Sequence, residues 1–491
     1  MAFEAQKPHF VLFPLMAPGH MNPMMNIAKI LVHRNVIVTV VTTPHNAARF
    51  MSTIDRYVES GFQIQLVQIP FPCKEGGVPD GCENFDMIPR TLEMAANFFN
   101  ATTFLQQPAE KLLEELTPPP CCIISDMLLP YTNHIARKFN IPRISFIGVS
   151  CFYHFCMFNI SILNVFESIT TDSEYFVLPG IPDKIETTIA QTGIPTNKIT
   201  MRYIGEAIFE AEREAYGMIM NSFEELEPAY AEGLKKMRNN KVWCFGPLSS
   251  YGNKDPLDKA QRGKKASIDE CHLKCWLDCQ KSGSVIYACL GSICNLIPQQ
   301  LIELGLALEA SERPFIWVIR EGNQSEALEK WIKEDGFEER TNGRSLLIRG
   351  WAPQLLILSH QAIGGFITHC GWNSSLEAIS AGVPMVTWPL FADQFLNQSL
   401  VVQVLKVGVK VGVESPVTWG KEEEIGVLVK KEDVERAIGK LMNETNESEE
   451  RRRRVREFAE KAKRAIEEGG SSHSNVTFFI QDIMQKIKRD V

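Results

Sequence analysis

AIGGFITHCGWNSSLEAISAGVPMVTWP, residues 362–389, decides the fold. The apolar run GGFIT ends at His369, a tight CGW turn follows, Asn373 to Ala381 has helix composition, and VPMVTWP at 383–389 is a second buried strand. Short apolar strands alternating with amphipathic helices predict a parallel sheet covered on both faces. The same rhythm runs outward in SVIYACLG at 284–291, PFIWVIR at 314–320, SLLIRG at 345–350 and AIGGFITH at 362–369. An earlier series comprises HFVLF at 9–13, a helix at Met24 to Val32, NVIVTVVTT at 35–43, QIQLVQI at 63–69, CCIIS at 121–125, RISFI at 143–147, MIMNS at 218–222 and VWCFG at 242–246. Between the two series lies the polar stretch PLSSYGNKDPLDKAQRGKKA. The reading is therefore an α/β protein with a first domain at 1–246, a linker at 247–266, a second domain at 267–471, and a last helix at 472–491 packing back on the first domain. Ligands of two such doubly wound sheets are expected outside the carboxyl ends of the strands, in a cleft between them.

A chain of 491 residues suits two large domains, and 45% hydrophobic with 22% charged residues excludes a mainly disordered protein. The net charge of -8 provides no footprint for nucleic acid. MAFEAQKPHFVLFPLMAPGH lacks the basic-then-apolar order of a signal peptide, and thirteen scattered cysteines, an odd count, fit reduced thiols; both predict a cytoplasmic protein. Asn373-Ser374-Ser375 matches a glycosylation sequon, but inside the densest ligand motif it has no room for a glycan. Ile144 to Phe166 contains no Asp, Glu, Lys or Arg and is long enough to span a bilayer. Its polar residues, Ser145, Ser150, Tyr153, His154, Asn159 and Ser161, and the break at Gly148 favour a strand followed by a buried helix, hence no stable membrane insertion. The tract Glu447 to Arg464 reads as a solvated helix rather than a nuclear signal, because glutamates flank its arginines. Cys271, Cys275 and Cys279 recur every fourth residue near His272, which a helix face explains better than zinc.

The functional information is concentrated in 351–398. A helix beginning near Asn373 and Ser374 offers unpaired backbone donors and a positive dipole end, a setting for a diphosphate, and His369 at the strand end could donate to the same group. Glu377, one turn into the helix, could accept two vicinal ribose hydroxyls; Trp351 offers a flat face for a base; Asp393 and Gln394 offer acceptors and a donor for sugar hydroxyls. Taken singly, each has a plainer reading: an N-cap, a core tryptophan, a surface carboxylate.

Together, Trp351, Gln354, His369, Gly371, Trp372, Asn373, Ser374, Glu377, Asp393 and Gln394 resemble the plant secondary product box of family 1 uridine-diphosphate-sugar glycosyltransferases. The resemblance implies the GT-B fold, two Rossmann-like domains facing a cleft. It also implies that Trp351 stacks on uracil with the Ala352 backbone at its edge and that Gln354 and Glu377 hold the ribose. His369, Asn373 and Ser374 would hold the phosphates, and Trp372, Asp393 and Gln394 the sugar. Glutamine at 394 goes with glucose in this family, and Ser292, in LGSIC, resembles a further phosphate contact or is a plain turn serine.

Transfer to a hydroxyl needs a base. His20, in the loop PLMAPGHMNPM after the first strand, and Asp126, after CCIIS, stand at carboxyl ends of strands in one sheet; the alternatives are a loop histidine and a capping aspartate. The resemblance makes them a catalytic dyad for inverting transfer, with no metal and no cofactor beyond the UDP-glucose co-substrate. Phe99, Phe146, Phe152, Phe155 and Phe158 suggest either an aromatic acceptor pocket or core. VTTPHNAARF at 41–50 and NSFEELEP at 221–228 resemble the branch acting on triterpenoids, steroids and flavonoids, so the expected acceptor is a small hydrophobic saponin-type aglycone or its glycoside, a flavonoid next, and the expected state a monomer. A transferase of galactose or glucuronic acid, an epimerase, or a non-catalytic nucleotide-sugar binder remain as alternatives. A nicotinamide dehydrogenase lacks its GxGxxG here, and a kinase its P-loop.

Overall fold

The structure is a computed structural model that describes residues 7–193, 199–251, 266–291, 293, 296–320 and 325–490. Most of the linker expected at 247–266 therefore lies outside the described residues. The chain divides into two compact units, one formed by Met1–Cys151, Pro195–Lys254 and Arg464–Val491, the other by Phe152–Ile194 and Asp255–Lys463.

In the first unit, β1 (His9–Phe13), β2 (Ile37–Thr42), β3 (Ile64–Gln68), β4 (Cys122–Asp126) and β5 (Arg143–Ile147) are followed by the hairpin strands β6 (Tyr175–Val177) and β7 (Glu186–Thr188), which belong to the second unit, and then by β8 (Gly217–Met220) and β9 (Val242–Cys244). Seven of these form a parallel sheet of order β3-β2-β1-β4-β5-β8-β9. Every residue of β1, β4 and β5 is buried, as expected of strands covered on both faces and written as unbroken apolar runs. The order reverses at β1, whose Phe10 pairs with Val38 of β2 on one side and Cys122 of β4 on the other. In doubly wound sheets such a reversal is the place where ligands bind, outside the carboxyl ends of the strands.

The helix after β1 begins at Pro18, not Met24, because proline at the first helical position has its φ preset and lacks only an N–H that would be unpaired there. His20 accordingly sits in the first helical turn rather than in a loop. Farther along, Met24, Ile27, Ala28 and Leu31 pack into the core of the sheet. The last helix, Ser471–Asp490, belongs to this unit: Phe479 meets Phe10, Trp243 and Phe245 at ring distances of 5.8, 5.1 and 5.6 Å, and the Tyr216 hydroxyl donates to Asp482.

The second unit holds β10 (Val285–Cys289), β11 (Phe315–Ile319), β12 (Ser345–Arg349), β13 (Ile363–Thr368), β14 (Met385–Thr387) and β15 (Gly408–Lys410) in a parallel sheet of order β12-β11-β10-β13-β14-β15. Here the reversal falls at β10 between β11 and β13. β15 and the hairpin escaped the sequence reading: each strand is three residues long and, unlike the equally short β9 and β14, is not buried throughout, so no closed apolar run marks it.

Residues 144–166 divide as expected at Gly148 into β5 and the helix Cys151–Ile162, whose Phe152, Cys156 and Ile160 are buried. Among the described residues no helix is long and apolar enough to cross a membrane. The tract 447–464 lies within the helix Asn446–Ile466, where Glu450 pairs with Arg453 and Arg454.

Candidate active site

In the first unit the chemistry gathers at the seam of the sheet. The carboxylate of Asp126, the last residue of β4, is wholly buried. Its Oδ2 lies 2.7 Å from Nδ1 of His20, and its Oδ1 accepts the N–H of Leu128 at 3.0 Å. Asp126 thus closes an Asx turn with one oxygen and orients the imidazole with the other; the helix cap of the alternative reading is not its role, because that helix starts only at Tyr131 behind Pro130. A carboxylate can only accept, so Nδ1 carries the hydrogen and Nε2 keeps the lone pair of a base. Gly148, after β5, flanks the ring: a Cβ there would lie 3.7 Å from Nδ1 of His20. The histidine is about a quarter exposed, 27%, so it is reachable while its partner is sealed.

In the second unit the candidates line the carboxyl edge of the sheet. His369 follows β13 directly across the seam from β10, and its ring is pressed between two glycines: a Cβ on Gly371 would lie 2.4 Å from Nε2, and one on Gly291 2.5 Å. Burial, reinforced by the Arg320 guanidinium, pushes the His369 pKa down to about 4, so the ring is neutral at physiological pH and has an N–H donor rather than a positive charge to offer. Its Nδ1 is buried without a hydrogen-bond partner among the described residues.

The helix Trp372–Ala381 starts one residue earlier than the sequence suggests, with Gly371 as its N-cap and no side-chain cap, which leaves Asn373 and Ser374 in the first turn. Gln354 binds this turn from the neighbouring helix Gln354–Leu358: its Nε2 donates to Ser374 Oγ at 3.1 Å and to Glu377 Oε2 at 2.8 Å, while the buried Tyr287 hydroxyl donates to its Oε1 at 3.4 Å. Gln354, Ser374 and Glu377 are thereby brought into one cluster. Trp351 is clasped by Ser267, whose Oγ accepts the Trp351 N–H at 2.9 Å and whose own N–H donates to the Trp351 carbonyl at 2.8 Å. Ala352 and Trp372 are buried.

Asp393 Oδ2 accepts from Asn397 Nδ2 at 2.7 Å, and the same nitrogen reaches the Cys370 carbonyl at 3.0 Å. Gln394 is only 4% exposed, and its Oε1 accepts the N–H groups of Leu390 and Phe391 at 2.8 and 3.2 Å. Its carbonyl therefore holds the loop, leaving only the amide NH2 for a sugar. Ser292 lies outside the described residues. Of the aromatic residues, Phe99 packs on Phe85 and Phe98, and Phe146 belongs to the core of the first sheet. Phe152 and Phe155 fall in the second unit, the former fully buried.

Sequence reading passed over Arg320. The residue follows β11, and its guanidinium stands 4.8 Å from the centroid of the Trp351 ring, with Nε buried and unpartnered among the described residues. The available signal was a lone charge at the carboxyl end of the apolar strand PFIWVIR.

Two parallel sheets, each reversing order where its polar residues gather, define a protein of the GT-B type. The family model described as UDP-glucoronosyl and UDP-glucosyl transferase matches residues 263–466. UDP-glycosyltransferase 73C6 of Arabidopsis thaliana is 52% identical over 99% of both chains. Among solved structures, Glycyrrhiza uralensis UGT73P12, complexed with glycyrrhetinic acid 3-O-monoglucuronide, is 35% identical and superposes with a TM-score of 0.87 over 99% of this chain and 98% of that one. Arabidopsis thaliana UGT89C1, complexed with UDP-L-rhamnose, is 28% identical with a TM-score of 0.75 over 98% of this chain and 100% of that one. The chain belongs to the plant UDP-glycosyltransferases, enzymes that transfer a glycosyl group from a UDP-sugar.

Two expectations follow from the second unit. Arg320→Ala, which releases the Trp351 ring, is expected to weaken UDP and uridine alike, by at most about 30-fold, the ceiling set by a partly desolvated cation-π contact. Loss confined to UDP, measured by titration calorimetry, would instead assign Arg320 to the phosphates. The second concerns pH. With a folded-state pKa near 4 against an ordinary 6.5, His369 leaves the unfolded chain to bind the proton first. Its stabilising contribution is complete above the unfolded value and is lost as pH falls toward 4, up to roughly 3 kcal/mol. His9 and His33 are also lowered by burial and add to the slope. The diagnostic is therefore the difference between wild type and His369→Asn in urea unfolding at pH 4.5 and 7.5; identical pH dependence in both would refute the assignment.

Proposed function

We propose that this protein transfers glucose from UDP-glucose to a hydroxyl of a small hydrophobic plant metabolite, a triterpenoid or saponin aglycone ahead of a flavonoid, and forms a β-O-glucoside. The observation that carries the reading is the His20–Asp126 pair, 2.7 Å apart, with the carboxylate sealed and the imidazole accessible. In this mechanism Nε2 of His20 takes the proton of the acceptor hydroxyl as its oxygen attacks the anomeric carbon. The bond from that carbon to the diphosphate breaks in the same step, with inversion. Asp126 holds the imidazole in the basic tautomer and offsets the charge the ring acquires.

On the donor side Trp351, backed by Arg320, takes the uracil and the Ala352 backbone its edge. Glu377 and Gln354 take the ribose, and the N-terminus of the helix Trp372–Ala381, with Asn373, Ser374 and the neutral His369, meets the diphosphate, for which Ser292 is carried over from the family resemblance alone. Trp372, Asp393 and the amide NH2 of Gln394 take the hexose. These donors receive the leaving-group charge, so the reading invokes no metal and no further cofactor. Phe99, Phe146, Phe152 and Phe155 are the acceptor-side candidates, the fully buried Phe146 and Phe152 through the shape of the core rather than by direct contact.

The triterpenoid preference is supported by the sequence branch and by the triterpenoid glucuronide in the 35%-identical crystal structure. The enzyme is further read as a cytoplasmic monomer. A matrix of UDP-glucose, UDP-galactose and UDP-glucuronic acid against triterpenoid and flavonoid aglycones, read by product mass, tests the whole. Hexosylated triterpenoid only with UDP-glucose is the expected result. Transfer only from another donor rejects the glucose assignment, and turnover of flavonoids alone rejects the acceptor assignment.

A further inference from the structure

We propose that the turn Ala190–Gly193, far in sequence from the sugar-binding residues, is the positioning element of the loop Leu390–Gln394 and sets turnover and sugar discrimination without affecting nucleotide binding. The proposal rests on the reading of Asp393 and Gln394 as sugar ligands.

Four observations within the second unit converge on this turn. Gly193 has φ +78°, and a Cβ at that position would lie 2.5 Å from the carbonyl oxygen of Ala392 and 2.7 Å from its Cα. Backbone is thus packed directly on backbone, an approach only glycine allows. Ala392 itself holds φ +55°, a left-handed conformation costly for a residue with a Cβ, immediately before Asp393. Such a conformation persists where its surroundings impose it, and Gly193 is the surface it rests on.

The turn is braced on both sides. The Tyr153 hydroxyl, on the helix Cys151–Ile162, donates to the Thr192 carbonyl at 3.0 Å, and Gln191 Nε2 donates to the Glu414 carbonyl at 2.6 Å. Glu414 leads to Val417, whose N–H donates to the Leu390 carbonyl at 2.7 Å, at the start of the same loop. Burial, and secondarily the charge of Asp393, keeps the Tyr153 phenol well above its usual pKa, so it remains a donor.

Inside the loop, Gln394 ties Leu390 and Phe391, and Asn397 ties Asp393 to the Cys370 carbonyl. The internal bonds fix the loop's shape. What remains is its placement as a body, which the turn supplies. Displacement of a reacting group by about 1 Å can cost on the order of 10²-fold in rate, whereas Trp351 and Glu377 stand on other elements and keep their grip on the nucleoside.

The test uses the full-length enzyme with Gly193→Ala, Gln191→Ala and Tyr153→Phe. For Gly193→Ala, kcat/KM with UDP-glucose falls by about tenfold or more, the ratio of UDP-glucose to UDP-galactose turnover shifts, and the inhibition constant of UDP stays within about twofold. The other two variants move the ratio in the same direction, less far, and decide the matter by that ratio if the alanine variant does not fold. A folded Gly193→Ala enzyme with wild-type kcat/KM and ratio, or one losing UDP in parallel, overturns the proposal. Asp393→Ala separates the two levels: if it leaves UDP-glucose turnover intact, the sugar-ligand reading fails, whereas if it abolishes turnover while the turn variants are silent, only the role of the turn fails.

Discussion

His20→Ala lowers kcat by about 10²- to 10⁴-fold, the usual worth of a positioned general base, while the dissociation constant of UDP stays within about twofold. The asymmetry follows from where the residue stands. Its imidazole is held by Asp126 in the first unit, and the nucleotide candidates all belong to the second. Asp126→Asn is the sharper companion. The amide nearly matches the carboxylate in shape and can still accept the Leu128 N–H through its oxygen, but its NH2 then faces Nδ1 of His20 and favours the tautomer with the hydrogen on Nε2. Turnover therefore falls nearly as far as with alanine at His20, with melting temperature little changed. Turnover in His20→Ala within tenfold of wild type, at saturating donor and acceptor, would remove the imidazole from the mechanism.

On the proposed ribose role, Glu377→Gln is expected to raise the dissociation constant of UDP by about 10- to 100-fold, since two hydrogen bonds from ribose to a carboxylate would each be worth roughly 1.5–3 kcal/mol and the amide would retain part of them. The buried Glu377 carboxylate has one oxygen engaged by Gln354 Nε2 at 2.8 Å, and Gln354 is in turn bonded to Ser374 and Tyr287. The substitution keeps volume and shape, so the effect reads on the ligand rather than the fold. The control is UDP-2′-deoxyribose glucose: wild type discriminates strongly against the missing hydroxyl, and Glu377→Gln much less. Unchanged UDP affinity in the variant, or wild-type indifference to the 2′-hydroxyl, contradicts the ribose assignment.

Most strands were legible because a strand covered on both faces must be written as an unbroken apolar run, as in HFVLF and PFIWVIR. Two of their ends were legible too, since His369 and Asp126 each close such a run with a residue suited to a ligand or a proton. Helix starts were less so. Pro18 extends its helix over His20, and Gly371 replaces Asn373 as the cap, because capping depends on backbone angles that residue type only biases.

Residue identity by itself determined the α/β class, the neighbourhood of the nucleotide-binding motif and the family, because apolar periodicity and a dense run of polar side chains are local properties of the chain. Only the tertiary structure decided that Asp126 touches His20 across 106 positions, that Arg320 lies over Trp351, that Gln394 spends its carbonyl on its own loop, and that Gly193 supports Ala392. Each of these depends on strand order and on two backbones meeting at van der Waals distance, and neither is encoded in any single stretch of sequence.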